Sequence, residues 1–253
     1  MKTKAGEHDY IEIAGVETEA VILDAYESED AWHIQYFVPS LEYITQHYYY
    51  PKGVGDTSGI EELTGMPVEC AGKRMSDFRW NYYPDDMSTQ KNIVDKYLFN
   101  FDVCLRENMG LYFQSKTRGS GKTFLACCIG NEIIKRRGLN VKFVSIVEYI
   151  QAAREKAAQK YMDATVLIID DFGAQDEKHD WVQELVFGLI NGRYERRRMT
   201  IFTSNEPIAK CSNDDRIVSR VSRMATEIKL PEFSIRQQQT KQLQKKFWES
   251  LDA

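Results

Sequence analysis

Lys116-Thr117-Arg118-Gly119-Ser120-Gly121-Lys122-Thr123 stands between an apolar run, Gly110 to Ser115, and a helical pattern that opens at Phe124 and continues Leu125-Ala126-Cys127-Cys128-Ile129. Strand, glycine-containing loop and helix in that order are the setting of a phosphate-binding loop. Gly119 and Gly121 let the backbone turn its N–H groups inward, and the N-terminus of the following helix adds partial positive charge. In this reading Lys122 reaches the β- and γ-phosphates of a nucleotide, and the Thr123 hydroxyl holds Mg²⁺. The pattern G-x-x-x-x-G-K-T asks for glycine where this chain has Lys116. For the loop alone, the alternative is a glycine-rich turn with a chance Lys-Thr pair.

A second stretch weighs against chance. Val166-Leu167-Ile168-Ile169 is a continuous aliphatic run, as expected of a central parallel strand buried on both faces, and it ends in Asp170-Asp171. Carboxylates at the carboxyl end of such a strand lie beside the phosphate loop, where open α/β sheets bind their ligands. Asp170 is then expected to position Mg²⁺ through its water shell, and Asp171 to orient or deprotonate the attacking water. A solvated turn is the alternative. Another short strand, Thr200-Ile201-Phe202, runs into Thr203-Ser204-Asn205, which places the Asn205 amide near the γ-phosphate and the attacking water. Arg216, Arg220 and Arg223 follow at steps of four and three, so they share one helix face. That face is either a surface salt-bridge row or a source of arginine fingers for a neighbouring subunit's nucleotide.

With these residues in place, the chain resembles the bacterial replicative-helicase loaders of the DnaC/DnaI type, a branch of the AAA+ ATPases shared with the IstB transposition ATPases. The resemblance covers roughly residues 75–240. It is carried by Val166 to Gly173 (VLIIDDFG), Trp181, Leu189 to Glu195 (LINGRYE), Met199 to Asn205 (MTIFTSN), Asp215 to Val221 (DRIVSRV) and Ser234-Ile235-Arg236. It implies an α/β fold: an AAA+ P-loop NTPase with a central parallel sheet and a truncated lid. It also implies ATP and Mg²⁺ as cofactors, with Lys122 and Thr123 in the Walker A positions and Asp170 and Asp171 as the Walker B pair. Asn205 takes the sensor-1 position, Arg220 is the preferred arginine finger with Arg216 next, and Arg236 is a sensor-2-type arginine. Two positions depart from the family pattern: Lys116 replaces the first loop glycine, and Met199 stands where proline is frequent. Only 17 residues follow Arg236, so the expected lid is a remnant whose Leu243, Phe247 and Leu251 form one apolar stripe.

The N-terminal third differs in kind. Val16 to Ala25, Trp32 to Val38 and Tyr43 to Tyr49 have β-rich composition, separated by turn chemistry at Glu27 to Asp30 and Pro39-Ser40. A fourth strand is expected around Met66–Cys70, giving a small β-rich module of SH3 or OB character over residues 1–75. The resemblance does not extend to it. Residues 1–80 carry a net charge of −9 and the remainder +4. Aromatic-rich barrels stack single-stranded bases, but a net negative charge opposes phosphate, so protein docking is the preferred role. In the remainder, Lys135 to Arg137, and Arg193 with Arg196 to Arg198, read either as solvated helix ends or as parts of a strand-binding channel.

A linker and one helix from about Ser88 to Asn108 are expected over residues 76–108, an ATPase core over 109–232 and the vestigial lid over 233–253. In the ATPases that this chain resembles, the segment before the phosphate loop contributes to the base pocket, which makes Phe78, Trp80 and Tyr82 candidates to face the nucleotide base. No apolar stretch approaches the length of a membrane span, the N-terminus does not read as a signal peptide, and the five cysteines lack C-x-x-C spacing. These features predict a cytoplasmic protein. The resemblance implies as partners a hexameric replicative helicase, single-stranded DNA and further copies of the chain through the ATP site. The alternatives are an IstB-like transposition ATPase and a nucleotide-gated protein-binding module with weak hydrolysis.

Overall fold

Strands form in two separate groups. The computed structural model describes residues 4–13, 16–27, 32–41, 43–49, 63–175 and 179–251. In it β1 (His8–Ile13), β2 (Val16–Glu27), β3 (Trp32–Val38) and β4 (Tyr43–Tyr49) make an antiparallel meander, each strand pairing with its chain neighbour. Successive strand residues point to opposite faces, and the inward set, Ile11, Ala20, Ile22, Ile34, Tyr36 and Val38, forms a core of its own. β1 was not among the expected strands. The strand expected at Met66–Cys70 is instead a 3-10 turn, Val68–Cys70. Pro67 has no N–H to give a ladder, and its carbonyl accepts the Cys70 N–H at 2.8 Å. The expected turn over Ser28–Asp30, Tyr50, and the side chains of Trp32, Tyr48 and Tyr49 lie outside the described residues.

The helix expected over Ser88–Asn108 is two helices, α1 (Ser88–Phe99) and α2 (Phe101–Arg106). Asn100 breaks it: its side-chain amide folds back onto the Lys96 carbonyl at 2.9 Å, competing with the helical ladder. The i+4 row nevertheless reaches the core, where Tyr97 and Phe101 are buried.

The second sheet is wholly parallel. β5 (Gly110–Gln114), β6 (Val141–Ser145), β7 (Val166–Asp170), β8 (Met199–Ser204) and β9 (Ala225–Lys229) lie in the order β6-β7-β8-β5-β9. β5, β8 and the aliphatic part of β7 are buried throughout, as expected of central parallel strands covered on both faces. Alternate side chains feed two layers. Leu111, Phe113, Ile168 and Ile201 pack with α3 (Lys122–Arg137) on one face. Tyr112, Leu167, Ile169 and Phe202 pack with α6 (Asp180–Glu195) and α7 (Asp215–Met224) on the other. Burying each large aliphatic side chain stabilises the fold by about 1.5–3 kcal/mol. α4 (Ile146–Arg154) and α5 (Gln159–Asp163) follow β6, and α8 (Ile235–Leu251) closes the chain.

Both basic clusters are partly consumed by the fold. Arg193 is fully buried; it donates to the Thr200 hydroxyl and to the carbonyls of Tyr161, Ala164 and Met199, tying α6 to the starts of β7 and β8. It therefore does not join Arg196 to Arg198 on any surface. Arg137 is buried too, and forks onto Asp102 with two bonds of 3.0 Å. Among the described residues, no helix is long and apolar enough to cross a membrane.

Candidate nucleotide-binding site

β5 sits between β8 and β9, and the chain leaves its carboxyl end for the far edge of the sheet, so a crevice opens there. The segment Ser115–Gly121 fills the turn between β5 and α3. Gly119 and Gly121 have φ of +75° and +94°, conformations that side chains rarely adopt, and a Cβ at Gly119 would lie 2.8 Å from that of Arg236. The buried Tyr83 hydroxyl donates to the Ser120 carbonyl at 2.5 Å and braces the loop from behind.

The Lys122 ammonium, nearly buried, donates to the carbonyls of Ser115 at 2.9 Å and Thr117 at 3.2 Å. Burial lowers its pKa, while Asp171, Asp170 and Glu232 pull it back up. Its contacts are neutral oxygens, so the charge is available to an anion in the crevice. Thr123, one residue on, donates to Asp170 Oδ1 at 2.8 Å. Thr203 donates to the same oxygen at 2.5 Å. Burial raises the Asp170 pKa, opposed by these two hydroxyls. Asp171 is exposed and lies in the left-handed region with φ of +51°.

These groups line one cavity of about 810 Å³, large enough for a nucleotide. Arg118 to Phe124, Asp170, Asp171, Asn205 and Arg236 all face it. The Arg236 N–H also bonds the Gly119 carbonyl at 3.2 Å, so α8 starts on the loop. Of the aromatic candidates for a base, Phe78 and Tyr82 face the cavity. Trp80 instead packs edge-on against Phe78, with centroids 4.7 Å apart. Thr123 and Asp170 are hard oxygen donors at one point of the wall, a set that suits Mg²⁺.

Four expected residues, Lys116, Thr117, Arg220 and Arg216, are not on that wall. Lys116 and Thr117 turn their N–H groups to the Glu232 carboxylate, at 3.1 and 2.8 Å. Arg220 lies on α7, where it donates to Asn191 at 2.7 Å and stands 5.0 Å from the Phe187 ring centre. Arg216 is bound to Asp214 at 2.7 Å. Glu232, Thr203 and Tyr83 are the site residues that sequence reasoning missed. Tyr83 alone carried a signal, as a neighbour of the aromatic segment Phe78 to Tyr82.

The chain is similar to several known proteins. A model of the IstB-like ATP binding protein family matches residues 77–241. The chromosomal replication initiator protein DnaA of Treponema pallidum is 35% identical over 129 residues, 47% of this chain and 28% of that protein. The chain thus spans under a third of the length of the curated relatives it matches. Among solved structures, the DnaC helicase loader superposes with a TM-score of 0.51 at 23% identity, over 60% of this chain and 95% of that one. DnaI superposes with a TM-score of 0.56 at 23% identity, over 68% of this chain and 100% of that one. The family match covers more than half of the sequence and the whole cavity-bearing sheet. The chain belongs to the IstB-like ATP-binding proteins, with an AAA+ nucleotide-binding domain.

Proposed function

We propose that the protein is an ATP-hydrolysing helicase loader acting in DNA replication. The observation that carries this reading is the meeting of Lys122, Thr123 and Asp170 at one end of a nucleotide-sized cavity. The likeness of the surrounding fold to the DnaC helicase loader supports the replication role.

In this reading Lys122 exchanges its carbonyl partners for the β- and γ-phosphate oxygens, joined by the N–H groups of Gly119 to Thr123. Thr123 and Asp170 would hold Mg²⁺, which when bound would offset phosphate charge. Asp171 accepts the proton of the attacking water, and Asn205 orients that water. Arg236 reaches the nucleotide from α8. Arg220, remote from its own cavity, completes the site of a neighbouring copy, so the chain assembles through the ATP site.

The domains divide the work: residues 1–75 dock the helicase, 76–108 link, 109–232 hydrolyse ATP and 233–253 supply the helix that bears Arg236. The −9 charge of residues 1–80 favours a protein partner there, and the +4 of the remainder favours single-stranded DNA. Such a protein works in the cytoplasm. A second reading, an IstB-like transposition ATPase, is favoured by the family match itself.

A pull-down of the full chain with a hexameric replicative helicase and, separately, a transposase, each with and without ATP, tests both. Helicase capture with a preference for single-stranded DNA supports the loader. Transposase capture with a preference for duplex DNA supports the second reading and overturns the first.

A further inference from the structure

β7 and β8 run parallel with Ile169 opposite Phe202, which sets Thr203 beside the Asp170-Asp171 pair. The Thr203 hydroxyl is fully buried and uses both of its capacities there. It donates to Asp170 Oδ1 at 2.5 Å and accepts the Asp171 N–H at 3.1 Å. Two further bonds clamp the same turn to β8: Phe172 N–H to the Thr203 carbonyl at 2.8 Å, and the Ser204 hydroxyl to the Phe172 carbonyl at 2.5 Å. These bonds hold the turn at Asp171, whose left-handed φ of +51° is uncommon for a residue other than glycine.

We infer that Thr203 is a positioning residue that sets both carboxylates of the hydrolytic site at once and couples them to the strand end bearing Asn205. The inference rests on the reading of Asp170 and Asp171 given above. One hydroxyl fixes the rotamer of the carboxylate that would hold Mg²⁺ and the backbone from which the proposed base projects. A shift of β8 then moves Asp170, Asp171 and Asn205 together. Thr123, on α3, reaches only the first of these.

Thr203→Val removes the hydroxyl while keeping shape and strand preference; Thr203→Ser keeps the hydroxyl and removes the methyl group. ATP affinity is measured by equilibrium dialysis with and without Mg²⁺, beside kcat and KM, for both variants, the parent and Asp171→Asn. Thr203→Val is expected to bind Mg²⁺-free ATP within about twofold of the parent. It should lose about fivefold or more of the Mg²⁺-dependent gain in affinity, and about tenfold or more in kcat. Thr203→Ser should stay within about threefold of the parent in every quantity. Parental behaviour of Thr203→Val, or equal damage in Thr203→Ser, overturns the inference while Asp171→Asn remains inactive. If Asp171→Asn hydrolyses as the parent does, or parental affinity ignores Mg²⁺, the reading beneath it fails too.

Discussion

The Glu232 carboxylate accepts the Thr117 N–H at 2.8 Å, so the segment that enters α8 also holds the entry of the phosphate loop. The same carboxylate takes the Thr117 hydroxyl at 2.9 Å and the Lys116 N–H at 3.1 Å. Burial works against its charge, but these bonds prevail and hold its pKa below the usual carboxylate range. They occupy the loop where glycine would be expected and leave the N–H groups from Gly119 onward to the cavity.

Glu232→Ala should therefore loosen the loop without removing any phosphate ligand. Because the carboxylate is exposed, solvent screens the loss to about 1 kcal/mol. That corresponds to roughly fivefold weaker ATP binding in a titration. Parental affinity in the variant would show that the loop keeps its shape unaided.

A buried carboxylate offers a pH test of the fold itself. Glu132, 3% exposed, receives the Arg74 guanidinium through two bonds of 2.7 Å and Arg136 at 2.9 Å. Burial raises its pKa, but Arg74, the Met75 N–H and Arg136 outweigh this and leave it lowered. A carboxyl depressed in the folded state contributes stability above its unfolded pKa of about 4.3 and loses it as pH falls through the folded value. Glu132→Gln should cost about 2–3 kcal/mol at pH 7, less than a fully buried pair because the guanidiniums stay 29% and 30% exposed. Thermal melts should show the gap between parent and variant narrowing towards pH 3. An equal gap at both pH values would contradict the pairing.

What the sequence reveals follows the range of each interaction. The phosphate loop, β7 and β8 are legible because a loop motif, the aliphatic run of β7 and the short strand pattern Thr200-Ile201-Phe202 are local signals. Glu232 is invisible there, since it meets Thr117 across 115 residues of chain. Thr203 is equally hidden, reading as one more strand threonine until β7 and β8 pair. Arg193 misleads for the opposite reason: its neighbours Arg196 to Arg198 suggest a charged surface, whereas four main-chain carbonyls draw it inward. β1 escapes notice because His8-Asp9-Tyr10-Ile11-Glu12-Ile13 mixes charge with its apolar positions.

Arg220 separates action within one chain from action between chains. Its guanidinium faces Asn191 and Phe187 rather than its own cavity. Arg220→Ala should bind ATP as the parent does yet hydrolyse it at least about tenfold more slowly. Lys122→Ala should bind ATP at least about thirtyfold more weakly, losing roughly 2–5 kcal/mol of phosphate contact. Mixing the two should restore part of the activity where an intact loop meets an intact arginine. Absence of recovery in mixtures shown by sedimentation to assemble would count against a finger acting in trans.

In the function proposed above, the crevice at the ends of β5 and β7 hydrolyses ATP with Asp171 as its base. The most direct measurement is single-turnover hydrolysis by Asp171→Asn, with ATP affinity determined on the same preparation. Asp171→Asn should bind ATP within about threefold of the parent and hydrolyse it about a hundredfold or more slowly. Hydrolysis at the parental rate would contradict that function.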